Sequence, residues 1–287
     1  MSDKSKNVSR ETIRRASFTV DWMTGTTNVA YLRDALSKAA HAHIDLCIAQ
    51  KEYPSLWEHF GYRGWDVGGI RWGRREQDDL IQLRGDQADK RWSFFLPLLT
   101  NVSRLDLAAT IQYSDHLINK ILDHYEEVQS VAEELPIIRN YSMITSLKGG
   151  DTLYVGRRAS QQFGRIYDKG MQSTDPEFAN CIRYEVELKR PAAWPVAQLL
   201  ASSADSEQLI SSFIFRWFED RLIACDWSPK IAYNAIQFPR RQTDVEQQLK
   251  WLQSQVAPTV RRLLDLGLSQ DVFNALALAI DITVEDD

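Results

Sequence analysis

The sequence predicts an α+β fold: a central antiparallel sheet carrying the chemistry, helices packed on it, and a helical C-terminal region. Three patterns carry that expectation. Polar and apolar residues alternate in SRLDLAATIQYS, FGRIYDK and RYEVELK, the period of half-buried strands. Aromatic, Gly and Arg residues interleave in YPSLWEHFGYRGWDVGGIRWGRREQDDLIQLRG, the composition of hairpins. Long amphipathic stretches gather after Ala192.

Taken in order, residues 1–15 read as a flexible arm. SFTVDWMTGTT, Ser17 to Thr27, reads as a short strand and a turn. AYLRDALSKAAHAHIDLCIAQ has helical apolar spacing. The aromatic segment that follows predicts strands, with turns near Gly68-Gly69 and Gly73. Ser103 to Ser114 opens as a strand, and SDHLINKILDHYEEVQSVAEEL follows as a helix with Ser114 as its cap. MITSL, TLYVGRR, FGRIYDK and RYEVELK predict four further strands. DSEQLISSFIFRWFEDRL and DVEQQLKWLQSQVAPTVRRLLDLGL are helical, with Pro258 kinking or restarting the second. No internal repeat or low-complexity tract is visible.

Composition narrows the class. The chain has 287 residues, 44% hydrophobic and 25% charged, which suits a globular protein of one large domain or two modest ones. No apolar run approaches the ~20 residues of a membrane span, and the polar N-terminus lacks a signal-peptide core. A soluble, cytoplasmic protein is expected. Cys47, Cys181 and Cys225 lie far apart and make no zinc pattern. The net charge of −5 argues against a general nucleic-acid coat protein. It suits an enzyme that grips one DNA site and releases it, because a cleft's field depends on local arrangement.

Strand periodicity gives a sharper expectation. Arg165, Tyr167 and Lys169 fall on one face of their strand, opposite Ile166. Arg183, Glu185, Glu187 and Lys189 share a face, as do Arg104 and Asp106. If the three strands are neighbours, one site forms. A phenol is only about one part in a thousand ionised at neutral pH, so attack by tyrosine on a phosphodiester needs activation. Arg165 and Lys169 could lower the phenol's pKa and hold phosphate oxygens. Asp106, Glu185 and Glu187 are hard oxygen ligands suited to Mg²⁺ or Mn²⁺.

The run GDTLYVGRRASQQFGRIYDKG resembles the replication initiation factor family. The resemblance rests on Gly150, Thr152, Tyr154 and Gly156, then Arg158 and Ser160, then Arg165, Ile166, Tyr167, Asp168 and Lys169. Arg183, Glu185 and Glu187 follow. RLDLA resembles the family's Arg-x-Asp strand, with Asp106 as its acid. DLIQLRGDQADKRW and VDWMTGTT add looser similarity, so it touches residues 20–190. Many relatives carry a second Asp four residues after the first, where this chain has Thr110.

The resemblance implies a rolling-circle initiator or relaxase of a plasmid, phage or other mobile element. Tyr167 would cut one strand at an origin, keep a 5′-phosphotyrosine and leave a free 3′-OH. Mg²⁺ or Mn²⁺ would sit on Asp106 and Glu185, with Glu187 as third ligand or nearby base. The nicking domain would span 16–191, with room for two sub-lobes, followed by a helical region over 192–287. A single-stranded, melted or hairpin DNA origin is the expected partner, with a host helicase, a polymerase and a homodimer as further ones. Arg157, Arg158, Ser160 and Arg183 are candidate phosphate contacts, as are Arg71, Arg74 and Arg75. A non-cleaving, sequence-specific DNA-binding protein of a mobile element is the alternative; a water-using metal nuclease is a third. His41-Ala-His43 lies in a helical pattern and is discounted as a metal pair. Trp57, Trp65, Trp72 and Trp92 could stack on bases, but core packing is the commoner fate of tryptophan.

Overall fold

The computed structural model describes residues 13–113, 141–146 and 150–221, with positions 260, 261 and 267 beyond them. The chain divides into two compact units, Met1–Phe238 and Pro239–Asp287. The expected helices after Ser114 and after Thr243 lie outside the described residues, as do Asp115, Cys225 and Pro258. The first unit is built on one ten-stranded antiparallel sheet.

The strands are β1 (Ile13–Thr27), β2 (Ser55–His59), β3 (Tyr62–Val67), β4 (Ile70–Arg74) and β5 (Asp79–Arg84). They continue with β6 (Asn101–Tyr113), β7 (Tyr141–Ser146), β8 (Gly150–Val155), β9 (Gln162–Asp168) and β10 (Cys181–Lys189). Their order across the sheet is β2-β3-β4-β5-β1-β6-β10-β9-β8-β7. Read outward from the central β1–β6 pair, each half runs first strand, last strand, then back through the hairpins. The same path is used twice, although no repeat is visible in the sequence.

Among the described residues, the helices of ten residues or more are α1 (Ala30–Ala49), α2 (Asp86–Phe95), α3 (Ala193–Ser202) and α4 (Ser206–Glu219). The alternation of β1, β6, β9 and β10 sends Val20, Met23, Leu105, Leu107, Ile166, Tyr184 and Val186 to one face, all essentially inaccessible to water. Phe215 of α4 meets Phe18 and Tyr184 edge-on there, at 6.2 and 5.9 Å. Each such side chain contributes about 1.5–3 kcal/mol by leaving water. Asp205 starts α4 by accepting a hydrogen bond from the Gln208 amide at 2.9 Å. Gly164 lets α4 sit directly on β9, since a Cβ there would lie 2.3 Å from the Trp217 ring.

Two expectations near glycines need correction. β1 runs unbroken to Thr27, through the turn expected at its end, because it is paired on both sides by β5 and β6. Gly25 is required by close approach to Leu99 and the Asn101 carbonyl. Gly73 lies inside β4, where the Trp57 ring covers it. The register shift between Val20 and Trp22 is a bulge whose extra residue is Asp21.

Candidate active site

The face of the sheet opposite Val20, Leu107 and Ile166 is the front face. β6, β10 and β9 are neighbours there, as the polar faces required. In register, Asp106 pairs with Glu187, Glu185 with Arg165, and Arg183 with Tyr167. One row further on, β8 sets Thr152 beside Tyr167.

Tyr167 is the centre of the cluster. Its hydroxyl donates to Glu185 Oε2 at 3.2 Å. Arg165 grips both oxygens of Glu185, with Nε to Oε2 at 2.9 Å, and lies 5.8 Å from the Tyr167 ring centroid. Arg183 pairs with Asp21, donates from Nη1 to Thr110 Oγ1 at 3.3 Å, and brings Nε within 3.9 Å of Glu185. That Nε is buried without a hydrogen-bond acceptor. Arg104 joins Asp106 (2.9 and 2.6 Å) to Glu187 (3.1 Å), and Lys189 reaches Glu187 at 2.9 Å.

The electrostatics follow from burial. Tyr167 is only 6% exposed, whereas its sequence context reads as exposed. Burial, then the Glu185 charge, raise its phenol well above the ordinary value. Burial likewise pushes Asp106 up to about 7; Arg104 opposes this, and Glu185 and Glu187 add to it. Lys169 begins a short helical turn, Lys169–Gln172, capped by Asp168. Burial and Arg183 lower its ammonium pKa, making it a readier proton donor.

The carboxylates of Asp106, Glu185 and Glu187 have the donor chemistry for Mg²⁺ or Mn²⁺. Their arrangement does not fit an ion, because Arg104 and Arg165 hold them. Among the described residues no three Asp, Glu, His or Cys side chains converge as a metal group. His41 is exposed and packs on Trp72, while His43 is buried against Cys47 at 3.3 Å.

The candidate DNA contacts separate. Arg157 and Arg158 are exposed between β8 and β9, where the Ser160 hydroxyl closes the turn by donating to Arg157 O at 2.7 Å. Arg71 is on the front face of β4, bound to Asp66 and Gln82. Arg74 is tied to the inaccessible carboxylate of Asp79. Arg75 pairs with Asp78. Asp21 is the residue that sequence reasoning missed. Only the bulge turns it toward Arg183, and no spacing rule announces a bulge. A cavity of about 230 Å³ adjoins Arg183, but Asp21, Asp86, Asp89 and Glu177 outnumber Arg15 and Arg183 in its lining, which disfavours phosphate.

Strand order and register bring Tyr167, Arg165, Arg183, Glu185, Glu187 and Asp106 into one charged cluster on the front face. A family model described as replication initiation factor matches residues 100–274, which contain β6 to β10. The chain belongs to the replication initiation factor family. Among solved structures it is similar to a rolling circle replication initiator protein from Geobacillus stearothermophilus. The two share 17% identity with a TM-score of 0.48, over 82% of this chain and 91% of that one. No curated protein matches the chain. Among the described residues, no helix is long and apolar enough to cross a membrane.

Proposed function

We propose that this protein starts rolling-circle replication by cutting one DNA strand with Tyr167. The observation that carries the reading is the hydrogen bond from the Tyr167 hydroxyl to Glu185, with Arg165 and Arg183 on either side. It is the nucleophile–base pairing that a weakly acidic hydroxyl needs. Arg165 moves from Glu185 to the scissile phosphate as DNA enters, and the unpartnered Nε of Arg183 takes another phosphate oxygen. Glu185, so released, accepts the phenolic proton as Tyr167 oxygen bonds to phosphorus. The bond from phosphorus to the 3′-oxygen breaks, and Lys169 protonates that leaving oxygen. The products are a 5′-phosphotyrosine and a free 3′-OH.

Asp106, Glu185 and Glu187 could take Mg²⁺ or Mn²⁺ only after Arg104 and Arg165 leave them. Arg157, Arg158 and Ser160 would meet the flanking backbone beyond β8, and the origin would be met single-stranded or melted. A helicase, a polymerase and a second copy of the chain are the further partners in this reading.

A second reading has its own support. The burial of Tyr167 and the clamp of Arg165 on Glu185 suit a non-cleaving DNA-binding protein of a mobile element that keeps the fold. One experiment separates them. Labelled single-stranded DNA from the element's origin is incubated with the protein and Mn²⁺, and denaturation-resistant adducts are scored beside Tyr167→Phe. The first reading expects an adduct that the variant lacks. Origin binding with no adduct supports the second, and cleavage without an adduct supports a hydrolytic nuclease.

A further inference from the structure

The alternation of SLWEH, YRGWDV and IRWGR separates the aromatic residues of the first half of the sheet. Trp65 and Trp72, paired across β3 and β4, turn to the back, where Trp72 is buried and Trp65 packs against the core. Trp57 and Tyr62 turn to the front, as Trp22 does in β1. Each carries an arginine: Arg71 lies 5.8 Å from the Trp57 ring centroid, Arg75 4.6 Å from Tyr62, and Arg104 4.5 Å from Trp22. The Trp57 and Tyr62 rings stack at 6.5 Å and 22°. Gly73 leaves room for the Trp57 indole to lie on the backbone, since a Cβ there would be 2.7 Å from the ring. Trp57 is half-buried and Tyr62 is buried, so Trp57 is the ring of this pair that a base could reach.

This surface is continuous with the Tyr167 site. Asp66, Arg71, Gln82, Thr24, Arg104 and Lys189 form one cross-strand row. Arg71 donates to Gln82 at 3.1 Å, Gln82 and Trp22 donate to Thr24 at 3.2 and 2.9 Å, and Arg104 continues to Asp106 and Glu187. The guanidinium side chains stay accessible, at 29% for Arg71 and 33% for Arg104 in the row and 27% for Arg84, two residues past Gln82 on β5. Asp66 neutralises only one of Arg71 and Arg84. With strands about 4.8 Å apart, the seven spacings from β2 to β9 span about 34 Å. Stacking rings alternating with cations are what a run of unpaired nucleotides requires.

We propose that the front face from Trp22 to Trp57 is a track for the single-stranded DNA that flanks the cleaved phosphate. The direction of the track rests on the Tyr167 reading, but its existence is tested without cleavage. Full-length Tyr167→Phe protein is titrated with a fluorescein-labelled 20-nucleotide oligo(dT), read by anisotropy. Trp57→Ala and Arg71→Gln, added to it, should each weaken binding about tenfold. Tyr31→Ala, on exposed α1, should not. Native affinity in both front-face variants overturns the track. A second measurement uses the native chain and so does not depend on how the variants fold. A 5-bromodeoxyuridine 20-mer is photocrosslinked and the attached peptides are mapped. Crosslinks within residues 55–75 are expected, and none there overturns the track. Failure of the Tyr167 reading would show separately, as native protein that forms no phosphotyrosine while still binding the oligonucleotide.

Discussion

Rotating one half of the sheet onto the other about the Met23–Leu105 pair lays Thr24 on Asp106 and Gln82 on Glu187. Strand ends agree with that register. β5 and β10 both stop two residues past Gln82 and Glu187, and β4 and β9 both begin one residue before Arg71 and Phe163. Leu80 then corresponds to Glu185, and Gly73 to Arg165. At these four positions the first half carries neutral or apolar residues where the second carries the ion-paired ones. The path sets where side chains stand, while these few substitutions set what the face can do. The same rotation puts Tyr62, Arg75 and Asp78 at the positions of Thr152, Tyr167 and Arg183. The first half thus keeps a tyrosine beside an acid, Tyr62 donating to Asp78 at 2.9 Å.

The largest expected effect breaks that symmetry. Tyr167→Phe should remove covalent adduct formation altogether, a loss of at least about a thousandfold, since no other group supplies the bond. Tyr62→Phe should leave the adduct yield near native. Its phenol is raised to about 12 by burial and by Asp78, much as that of Tyr167 is raised, but it stands outside the cluster of Arg165, Glu185 and Arg183. Adduct yields on one origin oligonucleotide decide the matter. Equal losses in both variants would make the two halves functionally equivalent and sink the assignment to the second.

The next comparison concerns the glycines under the two tryptophans. At Gly164 an added Cβ meets the buried Trp217 ring at 2.3 Å and Phe218 at 3.0 Å. Overpacking of that kind costs about 1–3 kcal/mol, and Gly164→Ala should lower stability by that much in urea unfolding. At Gly73 the ring in the way belongs to half-buried Trp57, which can lift off. Gly73→Ala should cost less than about 1 kcal/mol while weakening the stacked surface.

How legible this was depended on the kind of order involved. Helix α1, the hairpins β2 to β5 and the strands β6 to β10 follow from periodicity and turn residues, which are local. The polar faces of Arg165 and Tyr167, of Glu185 and Glu187, and of Arg104 and Asp106 followed from the pleat. Whether those faces would meet did not, because strand order is set by packing between distant segments. The burial of Tyr167 was hidden for the same reason: its neighbours in sequence are charged, but its neighbours in space are Glu185, Arg165 and Arg183. The repeated path left no mark in sequence, since Thr24 and Asp106 have nothing in common except position. The front-facing Trp57 is indistinguishable in sequence from the core tryptophans, because composition alone does not say which face of a strand is the core.

Asp106 offers a test by pH, with neutral Thr24 as its counterpart. Its folded pKa, raised to about 7 chiefly by burial, lies above the unfolded value of about 3.9. The folded state therefore holds the proton more tightly between these values, and stability falls as pH rises from about 4 to about 7. Asp106→Asn should remove that part of the slope, leaving the variant's stability flatter over this interval. Unfolding midpoints at pH 4, 5, 6 and 7 for both proteins check it. Identical slopes would mean that Arg104 keeps Asp106 ionised throughout.

Arg104 carries the last comparison, because its counterpart in the first half is the uncharged Trp22, whose ring it covers. The guanidinium is the shared counter-charge of Asp106 and Glu187, bonded to both. Replacing it by glutamine leaves two carboxylates paired in register across β6 and β10, with Glu185 two residues further along. Two like charges at such range repel by an amount that a divalent ion relieves, and oxygen ligands of this type suit Mn²⁺. Arg104→Gln should accordingly bind Mn²⁺ about tenfold more tightly than the native chain, measured by calorimetry or by the loss of free-ion paramagnetic signal. A result in that direction would show arginine and metal competing for one set of carboxylates, so that ion loading waits on Arg104 leaving. Equal, weak binding in both proteins would leave the arginines as the permanent partners of the acidic residues and place any required ion elsewhere.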